Sequence, residues 1–216
     1  MKKKRTAILI SGRGSNMDAL IEAARSPDYP AEISLVLSNK SDALGLAKAK
    51  KAGIAVAAVD HKIYGGREEF ERAIQIILET YSIELICLAG FMRLLTPWFI
   101  NNWRNKLINI HPALLPAYRG LNTHKRALAD GVKIHGCTVH YVAPEMDEGP
   151  IIAQAAVSVW DTDTPETLAA RVLEQEHLLY PTVLGLVASG NIQIKGNRVL
   201  GFVENNNSAL TVPDLL

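Results

Sequence analysis

The 216 residues are 48% hydrophobic and 21% charged, a composition typical of a globular domain large enough to bury a core. The formal net charge of +1 gives no overall field that would favour nucleic acid or an anionic membrane as a partner. The dense basic run Lys2–Arg5 is interpreted as a solvated lead-in to the first strand, in preference to a nucleic-acid arm.

The first half of the chain alternates short apolar runs with stretches of helical periodicity. Strands are predicted over 6–10, 33–37, 56–59, 85–88 and 107–110. Helices are predicted from Met17, over 43–52, over 67–81, and over 98–103 behind an N-cap and first residue at Thr96 and Pro97. Such alternation predicts an α/β fold with a doubly wound, mostly parallel sheet and helices on both faces.

The second half is richer in long β-type runs. Residues 133–142 and 151–159 are predicted as strands separated by the loop 143–150, which favours antiparallel or mixed additions to the sheet. Thr164 and Pro165 open a predicted helix that continues to about residue 186, and Gly196-Asn197 predicts a hairpin turn within 192–203. Without a repeat or a linker, we interpret residues 1–216 as one domain.

Cysteine usage and hydropathy bear on the compartment. Cys87 and Cys137 lie far apart in apolar surroundings, which favours reduced, buried thiols over a disulfide or a metal site. The longest apolar candidate, 85–95, is interrupted by Arg93 and is too short to span a membrane. We therefore expect a cytoplasmic protein with no membrane or nucleic-acid partner.

A glycine-containing turn follows the first predicted strand. Ser11–Asn16, which we call the phosphate loop, lies where free backbone N–H groups at a helix N-terminus can surround an anion, and Ser15 and Asn16 add side-chain donors. The third glycine of a dinucleotide fingerprint is absent, because Met17 occupies that position. The loop thus predicts a mononucleotide or sugar phosphate in preference to NAD, and a simple tight turn remains the alternative.

Two polar side chains end the strand at 107–110. Asn109 and His111 are two residues apart, so they share one face at the carboxyl edge of the sheet, where ligands bind in doubly wound folds. An amide donor beside an imidazole suits a developing oxyanion, although a strand-end histidine can also be purely structural. Asp147 lies in the loop 143–150, and its spacing alone ranks it no higher than Glu145 or Glu148.

Four strings give the chain a family resemblance. They are Ile8–Asn16, Leu88–Leu95, Asn109–Pro116 and Asp147–Pro150, and together they resemble the phosphoribosylglycinamide formyltransferases over nearly the whole chain. The resemblance implies a Rossmann-like formyltransferase fold and a catalytic group formed by Asn109, His111 and Asp147. It implies a substrate phosphate held by Gly14, Ser15 and Asn16, and a ribose bound by Glu176.

The resemblance also implies a folate site. Met92, Arg93, Leu94 and Leu95, the 92–95 segment, would hold a pteridine ring, and Arg67 would meet the glutamate carboxylate of the folate. Spacing alone favours a helix start for the segment and a solvated helix N-terminus for Arg67, and the role of Arg13 stays open.

The activity implied by the resemblance is formyl transfer from 10-formyltetrahydrofolate to the amine of glycinamide ribonucleotide in purine biosynthesis, by a monomer or homodimer. No metal, covalent nucleophile or nicotinamide is expected. Formyltetrahydrofolate deformylase and methionyl-tRNA formyltransferase are related alternatives, the latter sharing Arg119-Gly120, but both usually carry a further domain. A noncatalytic nucleotide-binding module is the alternative from another class.

Overall fold

The computed structural model of the chain describes residues 2–201. It contains one mixed sheet of nine strands in the order β3-β2-β1-β4-β5-β6-β7-β9-β8 within those residues. The strands are β1 (Lys4–Ile10), β2 (Ala31–Ser38), β3 (Ala55–Ala58), β4 (Leu85–Leu88), β5 (Leu107–His111), β6 (Ile134–Tyr141), β7 (Ile151–Ser158), β8 (Gln193–Lys195) and β9 (Arg198–Leu200). The first five pair in parallel, and β6 and β7 add antiparallel strands beyond β5. The predicted fold class is confirmed.

Helices cover both faces of this sheet. They are α1 (Ser15–Ala24), α2 (Leu44–Lys51), α3 (Arg67–Thr80), α4 (Pro97–Asn102), α5 (Thr123–Ala129) and α6 (Pro165–Ser189). Alternate residues of β1 enter different cores: Ile8 and Ile10 pack with α1 and α6, whereas Ala7 and Leu9 pack with α3 and α4. A strand buried on both faces has a continuous apolar sequence, which is why β1 was recognisable from sequence.

The start of α4 confirms one local prediction. The Thr96 side chain accepts a hydrogen bond from the Phe99 N–H, and Pro97 takes the first helical position. The capping box at Thr164 likewise opens α6, which ends three residues beyond the predicted limit, at Ser189.

Two elements were not predicted. Helix α5 buries only Thr123 and Ala127 along its seven residues, so its sequence carries too little apolar periodicity to be recognised. A single 3-10 turn, His61–Ile63, follows β3 and buries no side chain. The C-terminal hairpin is present, but its strands are short, and the predicted residues 202–203 lie outside the described part of the chain.

Candidate active site

A crevice opens beyond the carboxyl ends of β1 and β4. It contains a cavity of about 270 Å³ lined by the phosphate loop, Lys40, and three residues that follow β4, namely Ala89, Gly90 and Met92. The predicted phosphate loop and the start of the predicted 92–95 segment therefore share one cavity. Its position matches the ligand crevice expected of a doubly wound sheet.

Gly14 gives the phosphate loop its shape. Its φ of 71° and ψ of 42° lie in the left-handed region, directly before α1. A Cβ atom at this position would lie 3.0 Å from Met17 Cε. Glycine alone satisfies both constraints without strain, and the first N–H groups of α1, next to the cavity, have no intrahelical acceptor.

Asn16 and Glu176 meet although 160 residues separate them. The Asn16 amide Nδ2 donates to Glu176 Oε2 at 2.6 Å, which brings α6 against the start of α1. Both side chains are buried, and Asn16 Oδ1 has no hydrogen-bond partner among the described residues. Two predicted substrate-binding residues are thus brought together, and one of them retains an unused buried acceptor, which a ligand hydroxyl could satisfy.

Burial raises the pKa of Glu176, and the hydrogen bond from Asn16 opposes that rise. A carboxyl group with a raised pKa favours the folded state below its unfolded pKa, and this contribution is lost as the pH rises through the folded value. We therefore expect Glu176→Gln to unfold at higher denaturant concentration than the wild type at about pH 8, and at nearly the same concentration at about pH 4. A difference independent of pH, measured by urea titration, would contradict this assignment.

The 92–95 segment is irregular and tethered at both ends. The Met92 N–H donates to Ser11 Oγ at 2.8 Å, and the Thr96 N–H donates to Glu71 Oε1 at 2.7 Å. Between these points, the side chains of Met92 and Leu94 are exposed. The backbone groups of residues 93–95 bond to no described residue, so they are available to a flat, hydrogen-bonding ring.

Arg67 begins α3 and is exposed. It lies one helical turn before Glu71, whose carboxylate holds Thr96 at the end of the 92–95 segment. Burial raises the pKa of Glu71, and the Thr96 hydrogen bonds and the Arg67 charge oppose that rise. The arrangement leaves the guanidinium at the solvent side, where it could meet a flexible anionic tail.

Asn109 faces a histidine that the sequence analysis missed. Asn109 pairs with His140 across β5 and β6, and its Nδ2 lies 3.2 Å from His140 Nε2. His140 Nδ1 lies 3.0 Å from the Tyr141 carbonyl, which fixes Nδ1 as the protonated nitrogen and Nε2 as the acceptor. Burial lowers the pKa of His140, consistent with a neutral ring. The signal that could have identified His140 is a histidine inside a largely apolar strand.

His111 is buried between two partners. Its Nδ1 lies 3.5 Å from Asp147 Oδ2, and its Nε2 lies 2.9 Å from the Tyr118 carbonyl oxygen. Asp147 reaches it because the Gly120 N–H donates to Asp147 Oδ2 at 2.7 Å and Arg119 pairs with Glu148. The loop 143–150 is therefore closed onto residues 118–120, and all three predicted catalytic residues converge.

Metal-binding and membrane-spanning features are both missing from residues 2–201. No three His, Cys, Asp or Glu side chains in this range are arranged to hold a metal ion. None of the helices described there has the length and apolar character needed to cross a bilayer.

Comparison with known proteins decides the family. Residues 4–184 match the family model described as Formyl transferase. The phosphoribosylglycinamide formyltransferase of Haemophilus influenzae is 44% identical over 194 residues, covering 90% of this chain and 92% of that protein. The chain belongs to the formyl transferase family. Among formyl transferases, it belongs with the phosphoribosylglycinamide formyltransferases, as the resemblance predicted.

Three further proteins extend this comparison. The human trifunctional purine biosynthetic protein adenosine-3 is 49% identical over 203 residues, and the chain spans 20% of that protein's length. A glycinamide ribonucleotide transformylase structure from Symbiobacterium toebii has a TM-score of 0.89 at 43% identity, covering 91% of this chain and 93% of that one. A formyltetrahydrofolate deformylase from Pseudomonas syringae has a TM-score of 0.86 at 25% identity, and the chain covers 67% of it.

Proposed function

We propose that this chain transfers the formyl group of 10-formyltetrahydrofolate to the primary amine of glycinamide ribonucleotide. The observation that carries the proposal is the convergence of Asn109, His111 and Asp147 at the sheet edge that also holds the phosphate loop. Family membership supplies the reaction class, and this convergence supplies groups suited to it. The two substrates are small molecules, and a monomer or homodimer stays a prediction.

The reaction needs an oxyanion to be stabilised and a proton to be moved. The acceptor amine attacks the formyl carbon, a C–N bond forms, and the carbonyl electron pair moves onto oxygen. Collapse of this intermediate breaks the bond to the folate nitrogen, which receives the proton lost by the amine. The negative charge that develops on the carbonyl oxygen is the largest change of charge in the reaction, so hydrogen-bond donors aimed at this oxygen should contribute most to the rate.

Asn109 is suited to donate to that oxygen. One Nδ2 hydrogen is directed to His140 Nε2, and this contact orients the amide so that its second hydrogen is free. The neutral His140 ring accepts from Asn109 and cannot compete as a donor at Nε2. A fixed donor of this kind costs no reorganisation when the oxyanion forms.

His111 is suited to be the second donor. Its Nε2 now meets the Tyr118 carbonyl, and its Nδ1 faces the Asp147 carboxylate. The Tyr118 carbonyl oxygen is the present acceptor at His111 Nε2, and we propose that the formyl oxygen of the substrate replaces it as the acceptor. Asp147 would stabilise the charged imidazolium during that exchange and position a water for proton transfer.

The remaining predicted residues suit the two substrates. Gly14, Ser15 and Asn16 would bind the acceptor phosphate at the start of α1, and Glu176 would accept from a ribose hydroxyl. The 92–95 segment would supply backbone groups and apolar walls for the pteridine ring, and Arg67 would pair with a carboxylate of its tail. These roles would bring the acceptor and the formyl donor together in the crevice beyond β1 and β4, next to the strand that carries Asn109 and His111.

His140→Phe tests the orientation of Asn109. An aromatic ring is kept but the acceptor is lost, so we expect kcat to fall about 10-fold with little change in KM. If His140 acts through Asn109, adding His140→Phe to Asn109→Ala should cost no further rate. Steady-state kinetics of the three variants measure this. Additive losses in the double variant would contradict a positioning role.

Acceptor dependence separates the proposal from its alternatives. We expect 10-formyltetrahydrofolate to be consumed only when glycinamide ribonucleotide is present, because the amine is the nucleophile. The deformylase relationship makes hydrolysis the second candidate, and it predicts equal consumption without the acceptor. A noncatalytic nucleotide-binding module predicts no consumption in either case. Absorbance at a wavelength that distinguishes the two folates would follow all three outcomes.

A further inference from the structure

The phosphate loop and the 92–95 segment are joined by one serine. Ser11 Oγ accepts from the Met92 N–H at 2.8 Å, and the Ser11 N–H donates to the Gly90 carbonyl at 3.1 Å. Ser11 is 6% exposed, so both bonds are shielded from water. Its backbone begins the loop that contains Gly14, and its side chain holds the first residue of the segment.

A buried amide sets the direction of the Ser11 hydroxyl. Its proton is donated to Asn39 Oδ1 at 2.5 Å, and Asn39 is 1% exposed just beyond β2. Because the proton is committed to Asn39, a lone pair of Ser11 Oγ is left for the Met92 N–H. Asn39 thus makes the contact between loop and segment directional, which a freely rotating hydroxyl would not be.

The other end of the segment is held independently. Glu71, which lies on α3, accepts hydrogen bonds from both the N–H and the hydroxyl of Thr96. Neither residue belongs to the phosphate loop. The segment therefore has two tethers of different origin. Loosening the Thr96 tether should disturb the segment and the start of α4, which Thr96 caps, whereas loosening the Ser11 tether should disconnect the segment from the phosphate loop.

We propose that Ser11 is a positioning residue that couples binding of the phosphorylated acceptor to binding of the folate. This inference rests on the proposed function of the two sites. A phosphate bound by the N–H groups after Gly14 would order the loop and hold Ser11 in place, and Ser11 would then hold Met92 ready for the ring. The second ligand would find its site already ordered, which is positive cooperativity.

The test compares affinities in a complex that cannot react. Tetrahydrofolate carries no formyl group, so its dissociation constant can be measured by calorimetry with and without saturating glycinamide ribonucleotide. In the wild type we expect saturating glycinamide ribonucleotide to lower the dissociation constant of tetrahydrofolate about 5-fold or more. Saturating tetrahydrofolate must lower the dissociation constant of glycinamide ribonucleotide by the same factor. In Ser11→Ala, the factor should fall towards one.

Two further variants sharpen the result. Ser11→Cys fills the same space with a weak hydrogen-bonding group, so it should also reduce the factor while a thermal melt confirms a folded protein. Thr96→Val is the matched control, because it loosens the other tether; it should weaken tetrahydrofolate binding but keep the wild-type factor.

The outcomes separate this inference from the function on which it rests. Wild-type cooperativity that survives in both Ser11→Ala and Ser11→Cys, or that disappears equally in Thr96→Val, overturns the coupling role alone. The coupling role is also overturned if glycinamide ribonucleotide leaves the dissociation constant of tetrahydrofolate unchanged in the wild type. A wild type that binds neither ligand overturns the proposed function together with the coupling.

Discussion

Asn109→Ala and His111→Ala are each expected to lower kcat about 100- to 1,000-fold, the usual cost of removing one donor from an oxyanion site. The loss should be mainly in kcat, because both donors act on charge that develops only in the transition state. Steady-state kinetics with both substrates varied would measure it.

A matched control keeps this prediction specific. Asn101 is an exposed asparagine near the end of α4, so Asn101→Ala should retain wild-type kinetics. Folate affinity should be close to normal in Asn109→Ala and His111→Ala, and both should melt cooperatively. Near wild-type kcat in either variant would remove that residue from the mechanism.

Gly14→Val is expected to weaken acceptor binding about 10-fold or more while folate binding survives. The left-handed backbone at Gly14 is strained for any β-branched residue, and the new side chain would be forced against Met17. The loop would then lose the geometry that directs its N–H groups to a phosphate. An acceptor lacking its phosphate should be similarly poor with the wild type, because phosphate binding also positions the amine.

Gly53 provides the control for backbone strain. It has a φ of 79°, no atom lies within 4 Å of the place that a Cβ would take, and it lies in the turn between α2 and β3. Gly53→Val should therefore lose stability and still bind the acceptor normally. If Gly14→Val instead keeps acceptor affinity and loses folate affinity, the two halves of the crevice have been assigned the wrong way round.

Most of this fold could be predicted because each strand or helix is indicated by a pattern within its own stretch of sequence. The parallel strands were continuous apolar runs, and Thr96 and Thr164 indicated the starts of the helices that they cap. Helix α5 lacked such a signal, since only two of its side chains are buried. The sequence pattern around Asn109 and His111 likewise predicted a shared strand face, which the β5 register reproduces.

The rest of the site depends on contacts that no local pattern encodes. Asp147 reaches His111 only because the loop 143–150 bonds to Gly120 and Arg119. His140 contacts Asn109 through the β5–β6 register, and a shift of one residue would turn it to the other face. Family resemblance could propose Asp147 in advance, whereas His140 required the pairing of strands.

The most direct measurement follows the formyl carbon itself. Wild-type protein is incubated with glycinamide ribonucleotide and 10-formyltetrahydrofolate labelled with 13C in the formyl group, and the products are separated by mass spectrometry. Direct transfer predicts the label on the amine of the ribonucleotide, in one-to-one amount with tetrahydrofolate released. Recovery of the label as formate, with the ribonucleotide unmodified, would contradict direct transfer.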